Sequence, residues 1–476
     1  MSTSQVADHV VRFPPRPAPG PPRPYEFPAF TRDRLANGLE VIVAPIPRLP
    51  LVSIRFYIDA GAGIERQEDA GLALLTARAL AEGTLRAGGA QLAEEFERLG
   101  GSLSTTASWE GVHLHTSVLN TRFAPAMRLL AEVALEPAFP ARDVDRLREE
   151  RLAELLELRA EPRGLADERF LSLLYHPSVR YALPEGGSEA TVSTFTRERC
   201  QEFHARHFGP AVTSVIVVGD VEREPVLEVV QSVLGDWSTE AALIEPLPAR
   251  PARSDRALHV IARPDAPQTE LRAGHLGLPR AHPDYYDVTV MNAILGGVFN
   301  SRINLNLRER HGFTYGASSG FDWRRDAGPW AVSTAVATDV TQAALREIVG
   351  EIERMRSGPP TPDEISLATS YLDGVFPIRF ETTDAVAAAL TSLRAFGLAD
   401  DYYDTYRERI RAVDAAAVER AAKAHLHPDQ LQIVAVGDPE RVGTQLEALQ
   451  FGPVHYWTAE GALVSRAGAG APAAGA

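Results

Sequence analysis

His113 and His115 alternate along VHLHTSVL, a segment whose pattern predicts a strand, so their imidazoles share one face, with Glu110 close by in sequence. Strand His-x-His pairs occur in metal sites because two ring nitrogens on one face supply half of a tetrahedral set. No third and fourth ligand is identifiable, and the expectation is a solvated strand face. The single cysteine, Cys200, sits in the helix-like stretch TRERCQEFHARHF. One cysteine excludes an intramolecular disulfide and a thiolate zinc cluster, and this setting is that of a packing residue rather than a nucleophile.

The elements that position such residues belong to an ordinary globular chain. Its 476 residues allow about three domains of ~150 residues, or two large ones. Hydrophobic residues at 45% and charged residues at 23% suffice for more than one core. Lys+Arg number 48 against 63 Asp+Glu, and the formal net charge of −15 argues against nucleic acid as a partner. No stretch approaches the roughly 20 apolar residues of a membrane span, and residues 1–26 have no apolar signal-peptide core. A cytoplasmic protein with no membrane partner is expected. Prolines crowd residues 14–28 and predict an extended arm over 1–26, while AGAGAPAAGA predicts a flexible tail over 457–476.

Between the ends the chain repeats. FHARHFGPAVTSVIVVGDVE (203–222) matches AAKAHLHPDQLQIVAVGDPE (421–440) at an offset of 218, pairing His207 with His425, Pro210 with Pro428, Gly219 with Gly437 and Asp220 with Asp438. Each segment reads as a helix ending near His-x-x-Pro, then a buried β-branched strand running into a Gly-Asp turn. The same offset sets LVSIRFYIDAGAG opposite TELRAGHLGLPR, each a strand and turn, and GLALLTARALAEGT opposite TVMNAILGGVFNSR, each a helix. Two homologous halves follow, over 27–243 and 258–456, joined by a Pro-, Ala- and Arg-rich linker over 244–257.

Within the first half, RLANGLEVIVAP predicts a strand after an Asn-Gly turn, SIRFYIDAG a second, and residues 71–82 a helix. A short helix over 91–101, strands around SLSTTAS and VHLHTSVL, and helices over 121–135 and 140–160 follow. In the last of these Val144, Leu147, Leu152, Leu155 and Leu156 form one stripe. Strands and helices mix without regular βαβ alternation. The class is α+β: two α/β-roll halves, each a mostly antiparallel sheet packed with helices.

Asn37, Gly38, Leu39 and Val41, then a strand, then GLALLTARALAEGT resemble the opening of the pitrilysin/insulinase family of inverted zinc metallopeptidases. That family carries H-x-x-E-H in a frame G-x-A-H-x-x-E-H-x-x-x-x-G-T, and Gly71, Ala73, Gly83 and Thr84 keep the frame. YHP (175–177), the Gly-Asp strand ends and the duplication extend the resemblance over most of residues 30–450. The three reactive positions hold Leu74, Ala77 and Arg78. Leu74 has no lone pair, Ala77 no base, and Arg78 places a fixed positive charge where a dication would sit. Glu154 falls near the spacing of the family's third ligand. A lone carboxylate cannot hold catalytic zinc, and the expectation is a solvated helix glutamate beside Glu149, Glu150 and Glu157.

The second half reads GGVFNSRINLNLRERHGFTYGASSG over 296–320, which resembles the family's C-terminal signature. Gly296, Gly297, Ser301 and Arg302 are followed by Arg308, Glu309, Gly312, Phe313 and Tyr315. In the family, the arginine and the tyrosine seven residues on reach substrate held at the zinc of the other half or subunit. The residue types suit that role: an extended peptide offers carbonyls that need donors, and a guanidinium fork and a neutral phenol provide them. Arg302 and Glu309 are expected to support the loop.

The resemblance thus implies a zinc-less subunit of the processing-peptidase alpha or core-protein type. It would have no catalytic residue and no metal of its own, with Arg308 and Tyr315 as substrate-binding residues. Zinc is expected in a paralogous partner carrying H-x-x-E-H, the two forming a heterodimer that cleaves peptides. The alternative is a structural or peptide-binding scaffold with no part in catalysis. Nothing in the residues selects among unfolded peptides, presequences and leader peptides as substrate.

Overall fold

Residues 23–245 and 248–469 are described by a computed structural model. The first half contributes β1 (Thr31–Arg34), β2 (Glu40–Pro45), β3 (Leu51–Ile58), β4 (Ser104–Ala107), β5 (Val112–Leu119) and β6 (Thr213–Gly219), in spatial order β1-β2-β6-β3-β5-β4. The second contributes β7 (Ala257–Ala262), β8 (Gln268–Leu276), β9 (Ala317–Phe321), β10 (Pro329–Ala337), β11 (Gln432–Gly437), β12 (Val454–Trp457) and β13 (Leu463–Val464), in order β13-β12-β7-β11-β8-β10-β9. Five strands of one sheet repeat in the other with the same order and directions. β2 runs parallel to β6 as β7 does to β11, and every other equivalent pair is antiparallel. The repeat legible at residues 203–222 and 421–440 is therefore a repeat of topology. The outer strands differ, because β1 is antiparallel to β2 whereas β12 is parallel to β7.

Local sequence accounts for the central strands. TSVIVVG and QIVAVG are buried along their whole length, which suits β-branched runs flanked on both sides by neighbours. The turn before β2 needs Gly38, at φ +93°, and Asn37 Nδ2 ties it to the carbonyls of Leu234 (2.7 Å) and Trp237 (3.1 Å).

The two halves exchange one helix each. Pro162–Leu174 belongs in sequence to the first half but packs on β8 and β11, with Leu165, Ala166, Phe170 and Leu174 clustered with Ile261, Val434 and Val436. Thr383–Phe396, its counterpart near the repeat offset, packs on β3 and β6. Alternation along β2 shows the result: Val41 and Val43 face their own half's helices, while Ile42 and Ala44 join the core of the other half. Tyr57, Ile216 and Val218 are fully buried in the same way, and each such aliphatic side chain contributes about 1.5–3 kcal/mol.

Several expectations are corrected by packing. Leu156, placed in the apolar stripe of the helix Ala141–Ala160, is exposed, and Val144, Leu147 and Leu155 alone of the five are buried. The helix over 289–302 stops early: Tyr285–Asn292 passes into a π-turn at Ala293–Gly297. Residues expected in a flexible tail form β13 and a helical turn at Arg466–Ala469, with Arg466 Nη1 donating to Glu447 (2.9 Å); residues 470–476 lie outside the described ones. Of the expected arm, residues 1–22 lie outside the described ones, and Tyr25 packs against Phe376 and Phe380. Linker residues lie along the YHP segment, with His176 N–H donating to the Arg250 carbonyl (2.9 Å) and Ala252 N–H to that of Leu174 (2.8 Å).

Candidate functional site

The helix Leu72–Leu80 carries Leu74, Ala77 and Arg78, the residues at the three reactive positions of the expected frame, and is anchored at its start. Gly71 has φ +97°, and a Cβ there would meet the Gly186 carbonyl oxygen at 2.7 Å, so the frame's glycine is required by geometry. The Glu65 carboxylate, buried, accepts from the N–H groups of Gly71 (3.0 Å) and Ala73 (2.6 Å), two of the helix's orphan donors. Arg180 donates to the same carboxylate at 2.7 and 2.9 Å. Burial pushes the Glu65 carboxyl upward, and Arg180 opposes it. Sequence reasoning missed both residues, which lie 115 positions apart and form no local motif.

At the motif itself, Arg78 Nη1 and Nη2 donate to the two oxygens of Glu154 at 2.8 and 3.1 Å, and Arg151 Nη1 donates to Glu154 Oε2 at 2.9 Å. These bonds, Arg78's first, hold the Glu154 carboxyl below its ordinary range. Glu154 is thus not the solvated helix residue expected: it is the counter-ion of Arg78, with Arg151 as a second donor. Ala77 is buried, and Leu74 packs against the first-half core. A Cβ at Gly186 would meet Arg151 Nη2 at 2.5 Å and Leu74 Cδ2 at 2.9 Å, so the space beside Leu74 is filled. A hydrocarbon, a methyl group, a cation and one paired carboxylate do not fit zinc, and no hydrolytic step follows from them.

His113 and His115 do not share a solvated face, because the exchanged helix Thr383–Phe396 covers that side of β5's sheet. His113 Nε2 pairs with Ser108 Oγ (3.1 Å), its ring lies 5.4 Å from that of Tyr57, and burial lowers its pKa to about 4. His115 Nε2 pairs with Asp384 Oδ1 (3.0 Å), and Ser53 Oγ donates to the same carboxylate. Glu110 accepts from the Arg325 N–H (3.1 Å) instead. Three residues with three separate partners make no metal site. Cys200 is buried, and its thiol is pushed up to about 11 by burial, the state of a packing residue.

In the second half, β9 crosses closely over the Gly-Gly turn: a Cβ at Gly296 would meet Ser319 Oγ at 2.4 Å and its backbone nitrogen at 2.6 Å. Arg302 grips Glu364 with two bonds (2.6 and 2.9 Å), and Glu364 also closes the cap of the helix Pro362–Val375 with Thr361. Buried Asn304, unremarked in the sequence, donates to the Phe299 carbonyl (2.7 Å) and accepts from the Ala317 N–H (3.0 Å), tying the loop to the start of β9.

Arg308 lies in the π-turn Leu305–Arg310, its guanidinium carbon 4.6 Å from the Phe299 ring centroid and its Nε 3.6 Å from Glu309. Tyr315 is 95% exposed. Its backbone is pinned on both sides: Gly316 N–H donates to Thr314 Oγ1 (3.1 Å), and Thr334 Oγ1 donates to the Gly316 carbonyl (3.0 Å). Tyr315 stands at a cleft of about 640 Å³ whose walls include Arg163 and Asp167 of the exchanged helix and Glu270 and Arg272 of β8. Arg308 is not among the residues lining that cleft. The structure brings Tyr315 to a cleft between the second sheet and the helix Pro162–Leu174 and leaves Arg308 stacked on its own loop.

Two family models match the chain: "Insulinase (Peptidase family M16)" over residues 41–180 and "Peptidase M16 inactive domain" over residues 194–372. The chain belongs to the pitrilysin/insulinase family, peptidase family M16. It is 25% identical over 375 residues to an uncharacterized zinc protease of Mycobacterium tuberculosis (strain ATCC 25618 / H37Rv), covering 78% of this chain and 84% of that protein. It is also 25% identical over 423 residues to a protein of Arabidopsis thaliana named probable mitochondrial-processing peptidase subunit beta, covering 85% of this chain and 77% of that one. A crystal structure of a peptidase M16 inactive domain from Pseudomonas fluorescens superposes with a TM-score of 0.81 at 25% identity, over 86% of this chain and 98% of that chain. A protease from Helicobacter pylori shares the fold, with a TM-score of 0.79 at 18% identity, over 86% of this chain and 100% of the other. Among the described residues, no helix of this M16 chain is long and apolar enough to cross a membrane.

Proposed function

We propose that this chain is the zinc-less subunit of a two-chain M16 peptidase acting on peptides in the cytoplasm. Its partner, a paralogue with H-x-x-E-H, supplies the zinc and the general base. This chain supplies Tyr315 and Arg308 as donors to the backbone of a bound peptide. The observation that carries the reading is the pairing of Arg78 with Glu154, which leaves neither free to hold a cation, while Tyr315 is held exposed at the cleft. An unpartnered phenol on a pinned backbone has no packing role, and donation to a carbonyl oxygen is the chemistry open to it. Directed at the carbonyl of the scissile bond, such donors stabilise a developing oxyanion.

The test is to purify the chain alone and together with an H-x-x-E-H paralogue from the same cells and to follow peptide cleavage. Activity is expected from the mixture and from neither Arg308→Ala nor Tyr315→Phe mixtures at full rate. Cleavage by this chain alone, or undiminished cleavage with both variants, would sink the proposal.

A second reading is a peptide-binding or structural scaffold of the same fold. The stacking of Arg308 on Phe299, away from the cleft that Tyr315 lines, favours it. It predicts peptide binding or assembly by this chain without any zinc-bearing partner.

A further inference from the structure

Away from Arg78 and Tyr315, one cluster has the donor composition of a cation site. His282 lies in the turn before the helix Tyr285–Asn292, Asp284 is that helix's N-cap, and His425 ends the helix Ala415–His425, which packs beside it. One donor atom from each residue lies within 4.8 Å of the other two, and among the described residues this is the one such group of three. We propose that His282, Asp284 and His425 form a binding site for a zinc-class divalent cation, distinct from the substituted motif on the helix Leu72–Leu80.

Two imidazoles and a carboxylate are a borderline N₂O donor set, the type that takes zinc with a water in the fourth position. Bonds of about 2.0–2.2 Å to a tetrahedral ion set donors about 3.3 Å apart, so no pair here closes by more than about 1.5 Å and the His425–Asp284 pair opens by about 0.7 Å, shifts within reach of side-chain rotation. His425 Nε2 and Asp284 Oδ2 are already 2.6 Å apart, and the rings of His282 and His425 lie edge to face with centroids 5.2 Å apart. The Asp284 N–H donates to His282 Nδ1 (3.1 Å) and holds that ring beside the carboxylate. Ligation through His282 Nδ1 displaces that contact, and ligation through His425 Nε2 breaks its hydrogen bond to Asp284 and releases the proton. The Asp284 side chain is 46% exposed, which leaves an entry path.

The shared fold does not demand the trio. At the repeat offset His425 corresponds to His207, which is buried with its Nδ1 unpartnered and has no carboxylate hydrogen-bonded to it. A bound ion would clamp the helix Ala415–His425 to the helix that leads into the Gly296–Gly297 turn, and so to the loop bearing Arg308 and Tyr315.

Titration of the metal-free full-length chain with zinc chloride, followed calorimetrically, tests the proposal. One equivalent is expected to bind the native chain and Glu154→Gln alike, and cobalt(II) in its place is expected to give the absorption of a tetrahedral site. His282→Ala and His425→Gln are expected to weaken zinc by at least about 100-fold, a ligand being worth no less than the orienting residues behind it. Asp284→Asn, which keeps the shape of the N-cap residue and its hydrogen bonding, provides a third variant should either histidine variant fail to fold. No saturable binding by the native chain, native affinity in the folded variants, or loss of binding in Glu154→Gln would each overturn the site.

Discussion

Arg78 covers Glu154, its two terminal nitrogens reaching the two carboxylate oxygens at 2.8 and 3.1 Å across 76 residues of sequence. A guanidinium matches a carboxylate in a two-pronged geometry that a lysine cannot reproduce. The helix Leu72–Leu80 thereby gives the Glu154 carboxylate a protein cation as its partner. Both side chains are partly exposed, and the pair together with Arg151 is worth about 1 kcal/mol after solvent screening.

That arrangement makes the substitution reversible in principle. The triple change Leu74→His, Ala77→Glu and Arg78→His places two imidazoles on one helix face and leaves Glu154 paired with Arg151 alone. Zinc is expected to bind the triple variant in one more equivalent than the native chain, by metal analysis after dialysis. Adding Glu154→Gln is expected to weaken that extra ion by at least about tenfold. An unchanged metal content in the triple variant would show that the geometry around Glu154 has drifted as well as the residue types.

Tyr315 and Arg308 should separate function from stability. Tyr315 buries almost nothing, so Tyr315→Phe is expected to shift folding stability by less than about 0.5 kcal/mol by thermal unfolding. In the mixture with a zinc-bearing paralogue, each substitution is expected to lower kcat about 100-fold if the group meets a developing oxyanion. The double variant should lose less than the product of the two, since both donors serve one peptide backbone.

Arg302 and Glu364 give an acid limb to the stability of the second half. The arginine's hydrogen bonds pull the Glu364 carboxyl from its ordinary 4.5 to about 2. The folded value lies below the unfolded one, so the stabilisation is whole above about pH 4.5 and is lost as the pH falls toward 2. Discounted for solvent screening, it amounts to about 1 kcal/mol. Arg302→Ala should therefore lower stability at neutral pH by about that much and flatten its decline below pH 4.5, measured by urea unfolding across pH.

The exchanged helices predict that the halves depend on one another. Expressed alone, residues 27–243 would leave Ile42, Tyr57, Ile216 and Val218 without the helix Thr383–Phe396 that covers them. Such a fragment is expected to aggregate or remain unfolded, and to become soluble when co-expressed with residues 248–469. A monomeric, cooperatively folding fragment in isolation would contradict the exchange.

Residue types alone determined what Leu74, Ala77 and Arg78 cannot do, since the absence of a lone pair or a base is a property of the side chain in any fold. The sequence also carried the duplication, because buried β-branched strands between His-x-x-Pro and Gly-Asp turns leave a local pattern at each copy. Tertiary structure alone decided the partners. Nothing near Arg78 in sequence names Glu154, nothing near His115 names Asp384, 269 residues away, and nothing near Glu65 names Arg180. Which helix covers which sheet is likewise set by the complementary packing of whole surfaces. Pairing across such distances depends on where the backbone carries each side chain, and a one-dimensional pattern holds periodicity but not position.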